Sequence, residues 1–384
     1  RIDASAFYTQ TTGSYGWIFS SFSLSLNGGV SGVWRSMESE LEGVVDSLGV
    51  LSFDAPFQNW HIYVSPKLQY KRSDWVVVLD VPLHYHSSLS GAYLSPRLSG
   101  RWDITSQWAL SLNGQWSHRP TSDNMLYSGL LMRNYRLLQQ GDDRTEKEAS
   151  RSLGLTVNYK NPIRAFFVNG YVSYLHHRNA FLRDQLYQGD YIILYHLPQT
   201  SESETYRLGS RVSKGWDWWE LVSTLAVSYS DSHSRMRQNG VLQPYRSDIF
   251  QTKLDLTARP ARWVSWEYQL MYSCNCMKSD TYQSSVNHWS QHFSVSFRPS
   301  SRWRIGMSGE HYRDVMTEKH SKSFVLLDAD LSYNLSSHCE INLRLSNLLN
   351  EKRYAYTMLG DLTRSYSEYR IRPFHAVVEV YYRF

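Results

Sequence analysis

Eight side chains combine flat aromatic faces with guanidinium forks: Tyr127, Arg133, Tyr135, Arg136, Tyr187, Tyr191, Tyr195 and Arg235. They lie in three stretches with little regular patterning, 120–150, 178–202 and 231–246, and a fourth such stretch covers 352–372. An aromatic ring stacks on planar or apolar ligand surface, and an arginine grips oxyanions through parallel N–H donors. An iron chelate, a porphyrin or an oligosaccharide offers both kinds of surface. Ordinary loop packing and a rim of interfacial aromatics would use the same residues.

Other chemistry is less well specified. His84-Tyr85-His86 places two imidazoles on one side of an extended chain, and His176-His177 stands near the end of another extended segment. A metal site needs a third or fourth ligand that the spacing does not supply, so lumen or rim histidines standing in water are the expected reading. Cys274 and Cys276 lie two apart and Cys339 stands alone, which defines no disulfide framework and no zinc pattern. No glycine-rich phosphate loop, zinc helix or nucleophile elbow is present, and the many serines alternate with apolar residues rather than joining a histidine and a carboxylate. The expectation is a non-enzyme without cofactor or metal.

The elements that must carry these groups are strands. In 373–384, Phe374, Ala376, Val378, Val380, Tyr382 and Phe384 alternate with His375, Glu379, Tyr381 and Arg383, with Val377 the one apolar residue in the polar set. A period of two gives a strand one apolar and one polar face. The same register recurs in Phe250, Thr252, Leu254, Leu256 and Ala258 against Gln251, Lys253, Asp255 and Thr257. Mean hydropathy is −0.47, and no apolar run approaches the roughly 18 residues of a spanning helix. A strand that meets lipid with every second residue would look this way, and the 28 Tyr and 14 Trp suit a membrane boundary. The net charge of +5 comes from scattered basic residues, which argues against nucleic acid as a partner.

Strands are expected near 60–71, 75–86, 91–103, 107–118, 149–160, 164–178, 203–214, 218–231, 247–260, 262–275, 287–298, 302–313, 322–334, 338–349 and 373–384, with two more near 2–10 and 16–34. Tight turns near 71–74, 104–106, 161–163, 215–217, 260–261, 299–301 and 336–337 alternate with longer connections, although 87–90 is short. Trp75, Trp102, Trp108, Trp216, Trp218, Trp263 and Trp303 all stand close to the tight turns. Short turns and an aromatic girdle at one rim, with long loops at the other, describe an antiparallel transmembrane β-barrel of the outer membrane. About 17 strands is an odd count, whereas a closed bacterial barrel needs an even one. The expectation is the carboxyl-terminal part of a longer barrel protein, with residues 1–384 all in the barrel.

The segment INLRLSNLLNEKRYAYTMLGDLTRSYSEYRIRPFHAVVEVYYRF resembles the last two strands of TonB-dependent outer-membrane receptors. Asn347-Leu348-Leu349-Asn350 followed by Tyr354 is similar to the family's N-L-x-N…Y element. Arg372-Pro373 looks like the R-P that opens the final strand, and Phe384 is the terminal aromatic. Farther upstream, NYRLLQQGDDRTEKEASRSLGLTVNYKNPIRAFFVNGYVSY resembles the mid-barrel of Bacteroidetes-type receptors. The carbohydrate-uptake branch closes differently, so no glycan specificity is carried over.

The resemblance implies a barrel of about 22 strands holding a plug domain, with uptake of a scarce ligand (iron chelate, cobalamin-like or oligosaccharide) driven through the TonB complex. The plug that would contact TonB is expected to lie outside this sequence. It further implies outer-membrane lipid and a small-molecule ligand as partners, with the barrel-assembly machinery engaging the terminal strand Phe374–Phe384. Arg97, Arg101, Asp255, Asp328, Asp330 and Arg344 would line the lumen. An unplugged porin-like channel, a surface attachment barrel and a soluble all-β binding protein are the alternative readings.

Overall fold

The computed structural model describes residues 2–40, 52–54, 57–122, 125–317, 320–360 and 362–384. Most of them are β-strand, and the short 3-10 turn Trp218–Glu220 is one of the few helical pieces among them. The chain forms two compact units, one of residues 1–156, 172–206 and 232–245, the other of 157–171, 207–231 and 246–384.

In the first unit, Ile2–Ile18, Phe22–Glu40 and Phe57–Arg72 pair antiparallel in chain order. The next two expected strands are each divided, into Trp75–Asp80 with Leu83–His86, and Ala92–Leu94 with Arg97–Asp103. Pro82 and Pro96 stand at the divisions, where the missing N–H cannot donate to the ladder. The first hairpin differs from expectation: its turn lies at 19–21, not near 11–15, and Phe19 N–H donates to the Phe22 carbonyl at 2.7 Å. Gly13 and Gly16 look like turn residues but lie within the strand, opposite Gly28 and Ser25.

The pairing registers align like with like. Trp17, Leu24, Leu68, Leu79, Leu98 and Gly114 are successive direct partners across the ladder. On the opposite face Lys67, Asp80, Arg97 and Gln115 form a polar row. In the second unit, Val264, Phe297, Ile305, Leu331, Leu343 and Val378 make an apolar row over six strands. The row displaced by one residue reads Ser265, Ser296, Gly306, Asp330, Arg344 and Val377. The large apolar side chains are not covered by a second layer: Ile305 is 41% exposed and Val378 66%.

Tight connections occur at 73–74 in the first unit and at 262–263, 301–302 and 335–338 in the second. Trp75 stacks on Trp102 with ring centres 4.8 Å apart, and Trp303 packs on Tyr333 at 4.3 Å. The aromatic bands beside the short turns are therefore real pairs of side chains.

All four stretches expected as irregular contain strands, three of them as hairpins of their own. Leu130–Asn134 pairs with Leu137–Gln140, Leu182–Gln188 with Tyr191–Leu197, and Arg353–Gly360 with Thr363–Arg370. The fourth, 231–246, is not a loop: Leu221–Gln238 runs directly into Val241–Ala261 through Asn239-Gly240. Both turn residues have positive φ, 49° and 79°, the conformation that makes Asn-Gly a hairpin turn.

Candidate ligand-binding face

Within the first unit, the two hairpins at 130–140 and 182–197 build a small sheet of their own. Leu137–Gln140 runs parallel to 192–195, and Asp184 and Gln185 lie beside Arg237 and Gln238. Its core is Leu130, Leu138 and Ile193, with Leu186, Tyr191 and Tyr195 packed against it. Leu138 is fully buried, and deleting such a side chain typically costs about 2–5 kcal/mol.

Polar groups fix the edges. The Asn239 side-chain oxygen accepts from Tyr187 N–H at 3.0 Å, while its own N–H donates to the Gln185 carbonyl at 2.9 Å. Asp184 is buried, faces Arg237 at 3.8 Å and accepts from Gly240 N–H at 3.4 Å. Gln238 donates to the Tyr187 hydroxyl at 3.0 Å. Asn134 accepts from the N–H groups of Arg136 and Leu137, both at 2.9 Å, which closes the first hairpin. At Gly141 a Cβ would meet the Met125 carbonyl oxygen at 2.1 Å, so only glycine lets the two strands of chain pass there.

Burial holds the His196 imidazole below its ordinary range, and its Nδ1–H donates to the Gln140 carbonyl at 3.1 Å. Burial also raises the Tyr195 phenol, with Asp184 adding to the effect. Hydrogen bonds from Arg144 hold the Asp142 carboxyl below the usual carboxylate range.

The eight proposed ligand residues separate on this frame. Tyr127 is excluded from a surface role: it is 2% exposed, and its carbonyl accepts from Gly141 N–H. Tyr191 and Tyr195 are half-buried wall residues of the small core. Tyr135, Arg136, Arg133, Tyr187 and Arg235 retain exposed surface. Arg136 lies over the Tyr135 ring at 5.7 Å, and Arg133 Nε donates to Gln139 at 2.7 Å. The sheet thus joins Tyr135 and Arg136 as one aromatic–cation pair at a hairpin tip, and sets Tyr187 on a second edge. Asn239, Asn134, Asp184 and His196, which hold that frame, were not singled out from sequence; Asn239-Gly240 was the signal available for the first of them.

The polar rows carry the charged residues expected inside a barrel. Arg101 pairs with Asp103 at 2.7 Å, and Asp255 with Lys253 at 3.1 Å. Asp330 lies over Gly306, where a Cβ would meet its Oδ1 at 2.1 Å, and stands opposite Arg344. Asp328 is committed elsewhere, accepting from Asn347 N–H at 2.7 Å.

That last contact belongs to a clamp in the second unit. Asn347 is buried with φ 56°; its amide nitrogen donates to the carbonyls of Glu351 and Arg372 at 2.6 and 2.9 Å, and its oxygen accepts from Glu351 N–H. Asn350 accepts from Phe374 N–H at 3.2 Å. The N-L-L-N element therefore ties the base of the 353–370 hairpin to the entry of the final strand, His375–Tyr382.

His84 and His86 lie on one strand face, as their spacing requires, with His61 opposite His86 on the neighbouring strand. His61 Nε2 is 3.0 Å from His84 Nδ1, and the His61 and His86 rings stack at 4.0 Å. The rings lie face to face; among the described residues no three His, Cys, Asp or Glu side chains are placed to hold a metal ion. Cys274 and Cys276 Sγ atoms are 3.5 Å apart as thiols.

No protein-family model matches the chain, and no curated protein matches its sequence. Solved structures that resemble it include a variant of the ferric enterobactin receptor PfeA from Pseudomonas aeruginosa, at 10% identity, TM-score 0.33, 91% of this chain and 65% of that one. The ferric yersiniabactin uptake receptor FyuA from Yersinia pestis gives 10% identity and TM-score 0.32 over 98% and 80% of the two chains. The siderophore receptor PirA from Pseudomonas aeruginosa gives 12%, 0.38, 97% and 77%. The present chain spans a little under two thirds of the length of the first of these.

Proposed function

We propose that this chain is the membrane-embedded β-barrel portion of a TonB-dependent outer-membrane receptor that imports a scarce small ligand. The observation that carries the membrane part is the pair of opposed rows in the second unit: an apolar row across six strands in which no member is buried and Ile305 and Val378 are exposed, with a more polar row one residue away. A row of Phe, Ile, Leu and Val left at least partly uncovered across six strands would be a contiguous apolar patch on a soluble protein, of the kind that marks a membrane or partner surface. Hydrocarbon is the solvent in which such a face is stable, and the four strands from Gln283–Ser300 to Cys339–Ser346 each pair with a neighbour on both sides. The receptor part rests on the N-L-L-N…Y, R-P and terminal-aromatic elements, whose asparagines act together at the closing strand.

Ligand selection falls to the small sheet at 130–140 and 182–197, through Tyr135, Arg136, Arg133, Tyr187 and Arg235. Stacking on the tyrosines and bidentate contacts from the arginines suit an anionic aromatic chelate of iron, with cobalamin-like or oligosaccharide ligands as the other classes.

The test is a binding titration of the purified full chain in detergent against ferric chelates, cobalamin and oligosaccharides, read by calorimetry. Saturable binding of one class, weakened about tenfold or more by Tyr135→Ala with Arg136→Ala, is the expected result. Passive conductance in planar bilayers with no ligand bound in any class would instead identify an open channel, and a protein monodisperse without detergent would end the membrane reading.

A further inference from the structure

The apolar side of the first unit changes character along its strands. Leu98 opposes Gly114 and Trp102 opposes Leu110, so Leu112, Gly114 and Trp116 belong to the apolar face. A Cβ on Gly114 would meet Leu153 Cδ1 at 3.9 Å, and the Arg151 guanidinium lies 4.9 Å over the Trp116 ring. Leu153 and Arg151 therefore continue the same face on the strand Lys147–Asn161, and the period of two adds Lys147. From Leu153 to Lys147, about 20 Å at the rise of a strand, the surface passes from leucine through tryptophan to cations.

At the cationic end lies a cavity of about 570 Å³, bordered by Trp116, Lys147, Arg151 and Arg178, with Arg144, Glu146 and Glu202 among its other walls. Arg144 is already held by Asp142, its Nη2 2.8 Å from the carboxylate. Lys147, Arg151 and Arg178 have no carboxylate within 4 Å among the described residues, and they outnumber the two glutamates. Stacking on Trp116 leaves the edge of the Arg151 guanidinium free to present parallel N–H donors, the geometry that matches a phosphate.

A soluble ligand has no reason to be read on the side of a barrel that faces lipid. A lipid headgroup does, because its phosphate sits where the apolar surface ends and its chains lie below. We propose that Trp116, Lys147, Arg151 and Arg178 seat the phosphate-bearing headgroup of an outer-leaflet glycolipid, whose acyl chains run down over Leu112 and Leu153. This rests on the membrane reading made above, but it assigns a lateral site separate from the ligand-selecting sheet. The tryptophan marks the interface level, as amphipathic rings do in this class of protein, and the cations add attraction for an anionic surface.

Native mass spectrometry of the full chain, released from detergent after incubation with bisphosphorylated lipid A or its enzymatically dephosphorylated form, tests the assignment without any variant. The phosphorylated lipid should be retained at least tenfold more strongly. A triple variant, Lys147→Gln with Arg151→Gln and Arg178→Gln, should lose that preference, its fold being checked by heat-modifiable migration. Equal retention of the two lipids overturns the site, and so does an unchanged preference in a folded triple variant. Full displacement of the lipid by millimolar inorganic phosphate would overturn the lipid as occupant. Flotation with outer-membrane vesicles separates the two levels: a floating protein blind to lipid phosphate loses only this site, whereas a protein that does not float loses the membrane reading as well.

Discussion

The small sheet at 130–140 and 182–197 and the carboxyl-terminal ladder from Val264 to Tyr382 place their apolar residues in opposite ways. In the small sheet the apolar set turns inward on Leu138 and Ile193, which are essentially inaccessible. In the ladder no apolar core covers the apolar set, and Ile305 and Val378 remain exposed. A core stabilises strand pairing in the first region, whereas in the membrane reading proposed above a lipid solvent stabilises the second. Alternation therefore specifies that a strand has two faces, and neighbours specify which one is wet.

The comparison can be broken most sharply at Leu138. Leu138→Ala should destabilise the small sheet by about 2–5 kcal/mol, seen as faster hydrogen exchange across 130–140 and 182–197 with unchanged protection in 303–382. Equal loss of protection in both regions would show that they are not independent. In the ladder the corresponding change is a charge rather than a cavity. Met307 lies two residues farther from the Trp303 rim than Ile305 on the same strand face, and Met307→Arg should cost about 2–4 kcal/mol when unfolding is measured in a lipid bilayer, while Met307→Ala should have a much smaller effect because lipid fills the space. If the arginine variant is as stable as the parent, the apolar row does not meet hydrocarbon.

The clamp sharpens the contrast, because it is the place where the ladder depends on buried polar groups. Asn347→Ala strands the carbonyls of Glu351 and Arg372 and forces alanine into positive φ, so a loss of about 1–3 kcal/mol is expected. Asn347→Gly should recover only the conformational part, and thermal unfolding of the two variants would separate these contributions.

The smallest effect is a pH dependence confined to the small sheet. His196 has a folded value below the ordinary 6.5, so the unfolded chain binds the extra proton first as pH falls. The His196 contribution is complete above pH 6.5 and is lost as pH drops below it toward the folded value. Local hydrogen exchange at 192–197 should accelerate in that window, and His196→Gln should flatten the slope.

Much of this architecture could be read from residue order because a two-residue period needs no tertiary information. The strands 264–279, 283–300 and 303–317 extend beyond their expected limits, since ladders continue into the connections as long as backbone groups find partners. The stretch 182–197 was harder to read. Leu182-Arg183-Asp184-Gln185 does not alternate cleanly, because Asp184 and Gln185 are buried by a neighbouring strand distant in sequence. The candidate ligand residues were legible as types but not as places: nothing in the sequence around Tyr127 distinguishes its buried ring from the exposed Tyr135.

The order of residues alone determined that this chain is a series of two-faced antiparallel strands ending in an aromatic, because side-chain direction alternates with every peptide unit. Only the tertiary structure decided which tyrosines face outward, that Asn347 and Asn350 converge on the last strand, and that Trp116 and Arg151 share a cavity with Arg178. Those outcomes depend on register between segments far apart in sequence, where a shift of one residue exchanges the two faces.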